Sequence, residues 1–119
     1  MARILVAEDE ASVREFVRRA LESRHHDVVA VADGAEALAV LAGGAFDLLL
    51  TDIVMPVMDG IALSLKVAKD HPGLRIVMMT GYAAERSRAH NLDFLLHDVV
   101  TKPFTIEQIC QKVAEVLAD

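Results

Sequence analysis

The 119-residue sequence predicts one α/β domain, a doubly wound parallel five-stranded sheet with helices on both faces. Two observations carry this. Short apolar runs alternate with amphipathic segments along the whole chain, the pattern of repeated βαβ units. The runs are continuously apolar instead of alternating in and out, as strands buried on both faces require. A hydrophobic fraction of 54% with 25% charged residues supports a packed core and excludes a disordered chain. Aromatic residues make up 4%, so Val, Leu, Ile, Ala and Met must fill that core.

The first strand is Arg3 to Ala7. Val13, Phe16, Val17, Ala20 and Leu21 then recur at helical spacing and mark an amphipathic helix. Val28 to Ala32 is a β-branched run closed by Asp33-Gly34, and Asp33 is placed to cap a helix carrying Ala37, Leu38 and Leu41. Gly43-Gly44 ends that helix. Asp47 to Thr51 reads as the third strand, followed by a loop from Asp52 to Asp59 and a helix from Gly60 to Asp70. His71-Pro72-Gly73 stops it. Arg75 to Met79 is the fourth strand, a polar helix follows near Ala84 to Asn91, and Asp98 to Thr101 is the fifth. The last helix, Thr105 to Leu117, is expected to bury Ile106, Ile109, Val113, Val116 and Leu117 with Thr105 as its cap. No repeat, low-complexity tract or linker divides the chain, so 1–119 is expected to be a single domain.

A formal charge of −6 argues against direct nucleic-acid binding, which needs clustered Lys and Arg. Arg14, Arg18 and Arg19 lie close together, but Glu10, Glu15 and Glu22 interleave with them as on a solvated helix face. Cys110 is the one cysteine, which excludes an intrachain disulfide, and its place on the last helix suits the core. His25, His26, His71, His90 and His97 show no metal-ligand spacing. Only four apolar residues follow Arg3 before Glu8 and Asp9, and no run approaches membrane-spanning length. The expectation is a soluble, cytoplasmic protein with no membrane contact.

Ligands of open parallel sheets bind beyond the carboxyl ends of the strands. The polar residues that fall there are Glu8 and Asp9 after strand one, Asp52 after strand three, Thr80 after strand four and Lys102 after strand five. Each alone reads as a cap or loop residue. Together they place three carboxylates, a hydroxyl and an ammonium on one edge. Crowded carboxylates repel and call for a cation, and an all-oxygen donor set suits Mg²⁺. With the metal, Asp52 becomes a carboxylate nucleophile for a phosphoryl group whose charge Mg²⁺ and Lys102 balance, while Thr80 offers a hydroxyl donor.

Three segments, Ile4-Leu5-Val6-Ala7-Glu8-Asp9, Asp52-Ile53-Val54-Met55-Pro56-Val57-Met58-Asp59-Gly60 and Thr101-Lys102-Pro103-Phe104, resemble the receiver domains of two-component response regulators. The resemblance runs from Arg3 to about Leu117. It implies a flavodoxin-like (CheY-like) fold of strand order 2-1-3-4-5. It also implies roles: Asp52 as phosphoacceptor, Asp9 and Asp52 as direct Mg²⁺ ligands with Glu8 helping directly or through water, and the Val54 carbonyl completing the set. Thr80 resembles the switch hydroxyl and Lys102 the phosphoryl-pairing lysine. Two departures stand out. Glu8 replaces a frequent Asp, and Val99 occupies the place of the usual switch aromatic. Tyr82 either takes over that switching part or, the preferred reading, lines the mouth of the site.

Within the family the likeness is nearest to stand-alone, single-domain regulators of alphaproteobacteria. That implies an adaptor for the ClpXP protease, contacting ClpX, active when unphosphorylated and supplied by a histidine kinase or histidine phosphotransferase. The alternatives are a receiver whose output domain was removed, or a phosphorylation-independent interaction module. A phosphoaspartyl-type hydrolase is disfavoured, because Val54 stands where a second Asp would be needed. The expected protein is a regulatory phosphoacceptor and not an enzyme acting on external substrates.

Overall fold

The structure is a computed structural model that describes residues 2–81, 83–91 and 96–118. Five strands, β1 (Arg3–Ala7), β2 (Asp27–Val31), β3 (Leu48–Asp52), β4 (Arg75–Thr80) and β5 (Asp98–Thr101), form one parallel sheet of order β2-β1-β3-β4-β5. Between and after them run α1 (Ala11–Glu22), α2 (Gly34–Ala42), α3 (Gly60–Asp70), α4 (Ala83–His90) and α5 (Ile106–Ala118). This is the flavodoxin-like order expected, with the reversal of strand order between β1 and β3.

Side-chain alternation along the strands divides the core in two. Ile4, Val6, Leu48, Leu50, Val77 and Met79 point to one face, where Val17, Ala20 and Leu21 of α1 and Ile109, Cys110, Val113 and Val116 of α5 cover them. Leu5, Ala7, Leu49 and Ile76 point to the other, under Ala37 and Leu41 of α2 and Leu63 and Val67 of α3. Ala89 of α4 packs with Ile53 and Met78 in a smaller cluster on which Val99 also rests. The Cys110 thiol is buried, donates to the Ala20 carbonyl at 3.3 Å and is pushed up in pKa by that burial, so it belongs to the core as expected.

Capping follows the sequence closely. Asp33 accepts from the Glu36 amide at 2.8 Å, Asp59 from the Ala62 amide at 2.9 Å, and Thr105 Oγ1 from the Gln108 amide at 3.1 Å. Several boundaries differ from expectation, the start of β3 at Leu48 and the ends of α5 (Ile106–Ala118) among them. β2 runs Asp27–Val31 instead of 28–32, α4 runs Ala83–His90, β3 extends to Asp52 and β4 to Thr80, so the last two polar residues belong to strands. Ile106 is a correction: expected in the core, it is 41% exposed, because the first turn of α5 projects past the apolar stripe that begins at Ile109. Phe16 is 39% exposed as well and finds a partner in Phe104, with ring centroids 6.2 Å apart. The Arg18 and Arg19 guanidiniums pair with Glu15 and Glu22 along α1, as a solvated face should.

Candidate functional site

The register of the sheet assembles the site. Ala7 lies opposite Thr51, Asp52 opposite Met79, and Thr80 opposite Thr101, so the residues ending or following β1, β3, β4 and β5 meet at one edge. Glu8 leaves β1 with its amide donating to the Val31 carbonyl at 3.0 Å, and Lys102 leaves β5 with its amide donating to the Thr80 carbonyl at 2.7 Å. These backbone bonds fix where the two side chains start.

Ligand atoms from Glu8, Asp9 and Asp52 lie within 4.8 Å of one another. Glu8 and Asp52 are buried and Asp9 is exposed. Lys102 Nζ bridges the buried two, at 2.7 Å from Glu8 Oε1 and 3.2 Å from Asp52 Oδ1. Backbone donors add to this: the Glu10 amide reaches the other Glu8 oxygen, Oε2, at 3.1 Å, and the Ile53 amide reaches the same Asp52 Oδ1 that faces Lys102, at 3.0 Å. Thr80 is fully buried, and its hydroxyl has no hydrogen-bond partner among the described residues. An unpaired buried hydroxyl is costly and uncommon, and Ser64 Oγ is a second one among the described residues.

Burial dominates the electrostatics. Removal from water pushes the Glu8 carboxyl up to about 7, against the opposing pull of the Lys102 bond and the Glu10 amide. Burial raises Asp52 as well, while the Lys102 charge and the Ile53 amide hold it back. For Lys102 burial alone acts downward, but Glu8 and Asp52 together outweigh it and hold the ammonium above its ordinary value. All three groups of this site are thus strained toward one shared charge balance. An all-oxygen set of three carboxylates is the donor chemistry that fits Mg²⁺, and a cation there would relieve the crowding.

A cavity of about 750 Å³ opens over these residues and includes Asp9, Asp52, Val54 and Lys102 in its lining. Five of the expected site residues, Glu8, Asp9, Asp52, Thr80 and Lys102, therefore meet at one edge, and Val54, an exposed residue, flanks them. Val99 does not line this cavity. It rests instead among Ile53, Met78 and Ala89 and borders a second groove beside α5. Tyr82 lies outside the described residues. None of the histidines joins the acidic cluster.

Two features escaped the sequence. The direct Glu8–Lys102 ion pair spans nearly the whole chain, and only the β1–β3–β4–β5 order brings its ends together. Glu85, on the first turn of α4, lines the cavity; the only hint was an acid early in a polar helix.

The chain belongs to the response regulator receiver domain family, whose pattern it matches over residues 4–114. It is the receiver domain of a two-component response regulator. The chain is 38% identical over 117 residues to the response regulator receiver protein CpdR of Brucella abortus, with 98% of each chain covered. It is 39% identical over 119 residues to a stretch of the sensor kinase CckA of the same organism, covering 98% of this chain and 12% of the kinase. Among solved structures, the response regulator TrrA of Thermotoga maritima in complex with Mg²⁺-BeF superposes with a TM-score of 0.88 at 28% identity, over 98% of this chain and 99% of that one. Among the described residues no helix is long and apolar enough to cross a membrane.

Proposed function

We infer that this receiver is a phosphorylation-dependent signalling switch in which Asp52 accepts a phosphoryl group from a histidine kinase or histidine phosphotransferase. The observation that carries the reading is the bridge of Lys102 between Glu8 and Asp52, beside the three-carboxylate cluster. Glu8, Asp9, Asp52 and the Val54 carbonyl are the residues that would hold Mg²⁺. That ion supplies charge neutralisation for the carboxylates and for the oxygens of an incoming phosphoryl group. The solved relative TrrA carries Mg²⁺ with a beryllium fluoride, which supports the same pairing here.

A carboxylate oxygen of Asp52 attacks phosphorus as the P–N bond of the donor phosphohistidine breaks, leaving an acyl phosphate on Asp52 and a free imidazole. Lys102 then exchanges its carboxylate partners for a phosphoryl oxygen, and the unpartnered Thr80 hydroxyl gains an acceptor. Hydrolysis by water later returns Asp52 and inorganic phosphate, with Val54 at the cavity through which the water enters. Val99, in the place of the usual switch aromatic, is the residue that departs from the familiar switching scheme. The protein is a regulatory phosphoacceptor and catalyses nothing beyond its own phosphoryl transfer.

The output belongs to the same proposal. Identity to CpdR, named a response regulator receiver protein, over nearly its full length supports the receiver role. We propose that the chain works in the cytoplasm as a single receiver domain, 1–119, and a ClpXP adaptor that contacts ClpX when unphosphorylated and binds neither nucleic acid nor membrane. Incubation with acetyl phosphate or a phosphohistidine donor plus Mg²⁺ is expected to label the wild type, and to leave Asp52→Ala or a chelated sample unlabelled. Labelled Asp52→Ala overturns the site assignment. Purified ClpX retained by the unphosphorylated chain and released on phosphorylation supports the adaptor role, and equal retention of both forms refutes the switch.

A further inference from the structure

At the end of β4 two hydrogen-bond donors face different fates. The Thr80 hydroxyl is buried without a partner, whereas the next amide, that of Gly81, donates to Glu85 Oε1 at 3.0 Å. Glu85 is half-buried on the first turn of α4, and Gly81 and Glu85 line the same cavity as Asp52 and Lys102. Among the described lining residues four are acids, Asp9, Glu10, Asp52 and Glu85, and Lys102 is the one cation. Glu85 differs from the other three because its bond ties a helix to a strand end.

The geometry points to Glu85 as an anionic gate of the phosphoryl pocket: its carboxylate holds the Gly81 amide at the cavity mouth until a phosphoryl group displaces it. The inference rests on Asp52 being the phosphoacceptor. A phosphoryl group adds about two negative charges to a cavity already rich in carboxylates. Glu85 repels it and competes with it for the amide. When the phosphoryl group wins, the Gly81–Glu85 bond breaks, and the first turn of α4 loses a tether to β4. Glu85 is thus a positioning residue that resists acceptance of the group and couples acceptance to α4.

Glu85→Gln keeps an acceptor for the Gly81 amide and removes the charge; Glu85→Ala removes both. With acetyl phosphate, itself an anion, and Mg²⁺ at low salt, Glu85→Gln is expected to incorporate label about two- to tenfold faster than the wild type, as one charge across a cavity permits. The advantage should close at about 1 M salt, where screening acts within about 3 Å. In metal-free protein, amide hydrogen exchange at Gly81 should be faster in Glu85→Ala than in the wild type. Wild type and Glu85→Gln labelled at equal rates at low salt overturn the gate alone, as does unchanged Gly81 exchange in Glu85→Ala. An unlabelled wild type overturns the phosphoacceptor reading itself.

Discussion

Glu8 shows how one buried carboxyl stores the tension of this site. It is fully buried, bonded to Lys102 Nζ and to the Glu10 amide, and still raised to about 7 because burial outweighs both bonds. A carboxyl raised in the folded chain binds more protons there than in the unfolded chain between about 4.5 and about 7. Stability contributed by its protonated form is therefore present below that interval and lost as pH rises through it. Glu8→Gln keeps the shape of the protonated form and cannot ionise. In chelator, urea unfolding should find the two proteins nearly equal at pH 5, and the variant more stable by about 1–3 kcal/mol at pH 8. His26, held below its ordinary value by burial, favours folding as pH rises through the same region, but it is common to both proteins and cancels. A difference that does not grow with pH refutes the assignment of the titration to Glu8.

At the scale of elements, the site depends on how closely α3 approaches the end of β3. A Cβ added at Gly60 would stand 2.0 Å from the Asp52 carbonyl oxygen and 3.0 Å from Ile53 Cα, both backbone, and the Gly60 amide donates to the Ile53 carbonyl at 2.8 Å. Gly60→Ala must therefore move the strand end that carries Asp52, and a loss of about 3 kcal/mol or more is expected in chemical unfolding. Gly73, with nothing within 4 Å of the same added atom, gives the control: Gly73→Ala should stay within about 0.5 kcal/mol of the wild type. The sequence foreshadowed this turn, since a loop ending at Asp59 gives way to a helix from Gly60, and Asp33 and Thr105 announced two caps that the structure contains; the Asp59 cap of α3 is added by the structure. It did not announce Val57, a β-branched residue at φ 68 bracketed by the Met58 amide and the Pro56 carbonyl, because no local preference selects valine there. Nor did it show that Ile106 escapes the core, since helical spacing alone cannot say where a helix overhangs its sheet.

At the scale of the whole molecule, hydrophobic pattern specified five parallel strands but not their order. Strands buried on both faces look alike, and it was the family resemblance that implied β2-β1-β3-β4-β5. That order turns residues remote in sequence into one charge balance, so a ligand of the site should be felt by the entire fold. A cation that binds only the folded chain adds RT ln(1 + [L]/Kd), about 1.4 kcal/mol at ten times Kd, which for a domain of this size raises Tm by roughly 3–7 °C. Mg²⁺ titration followed by calorimetry should show this rise in the wild type and little of it in Asp52→Ala, which removes one of the three carboxylates. Binding requires Glu8 to give up its proton, so the rise should be larger at pH 8 than at pH 6, with protons released on binding at the lower pH. An equal rise in Asp52→Ala places the ion elsewhere, and the coupling of Glu8, Asp9, Asp52 and Lys102 through a single metal then fails.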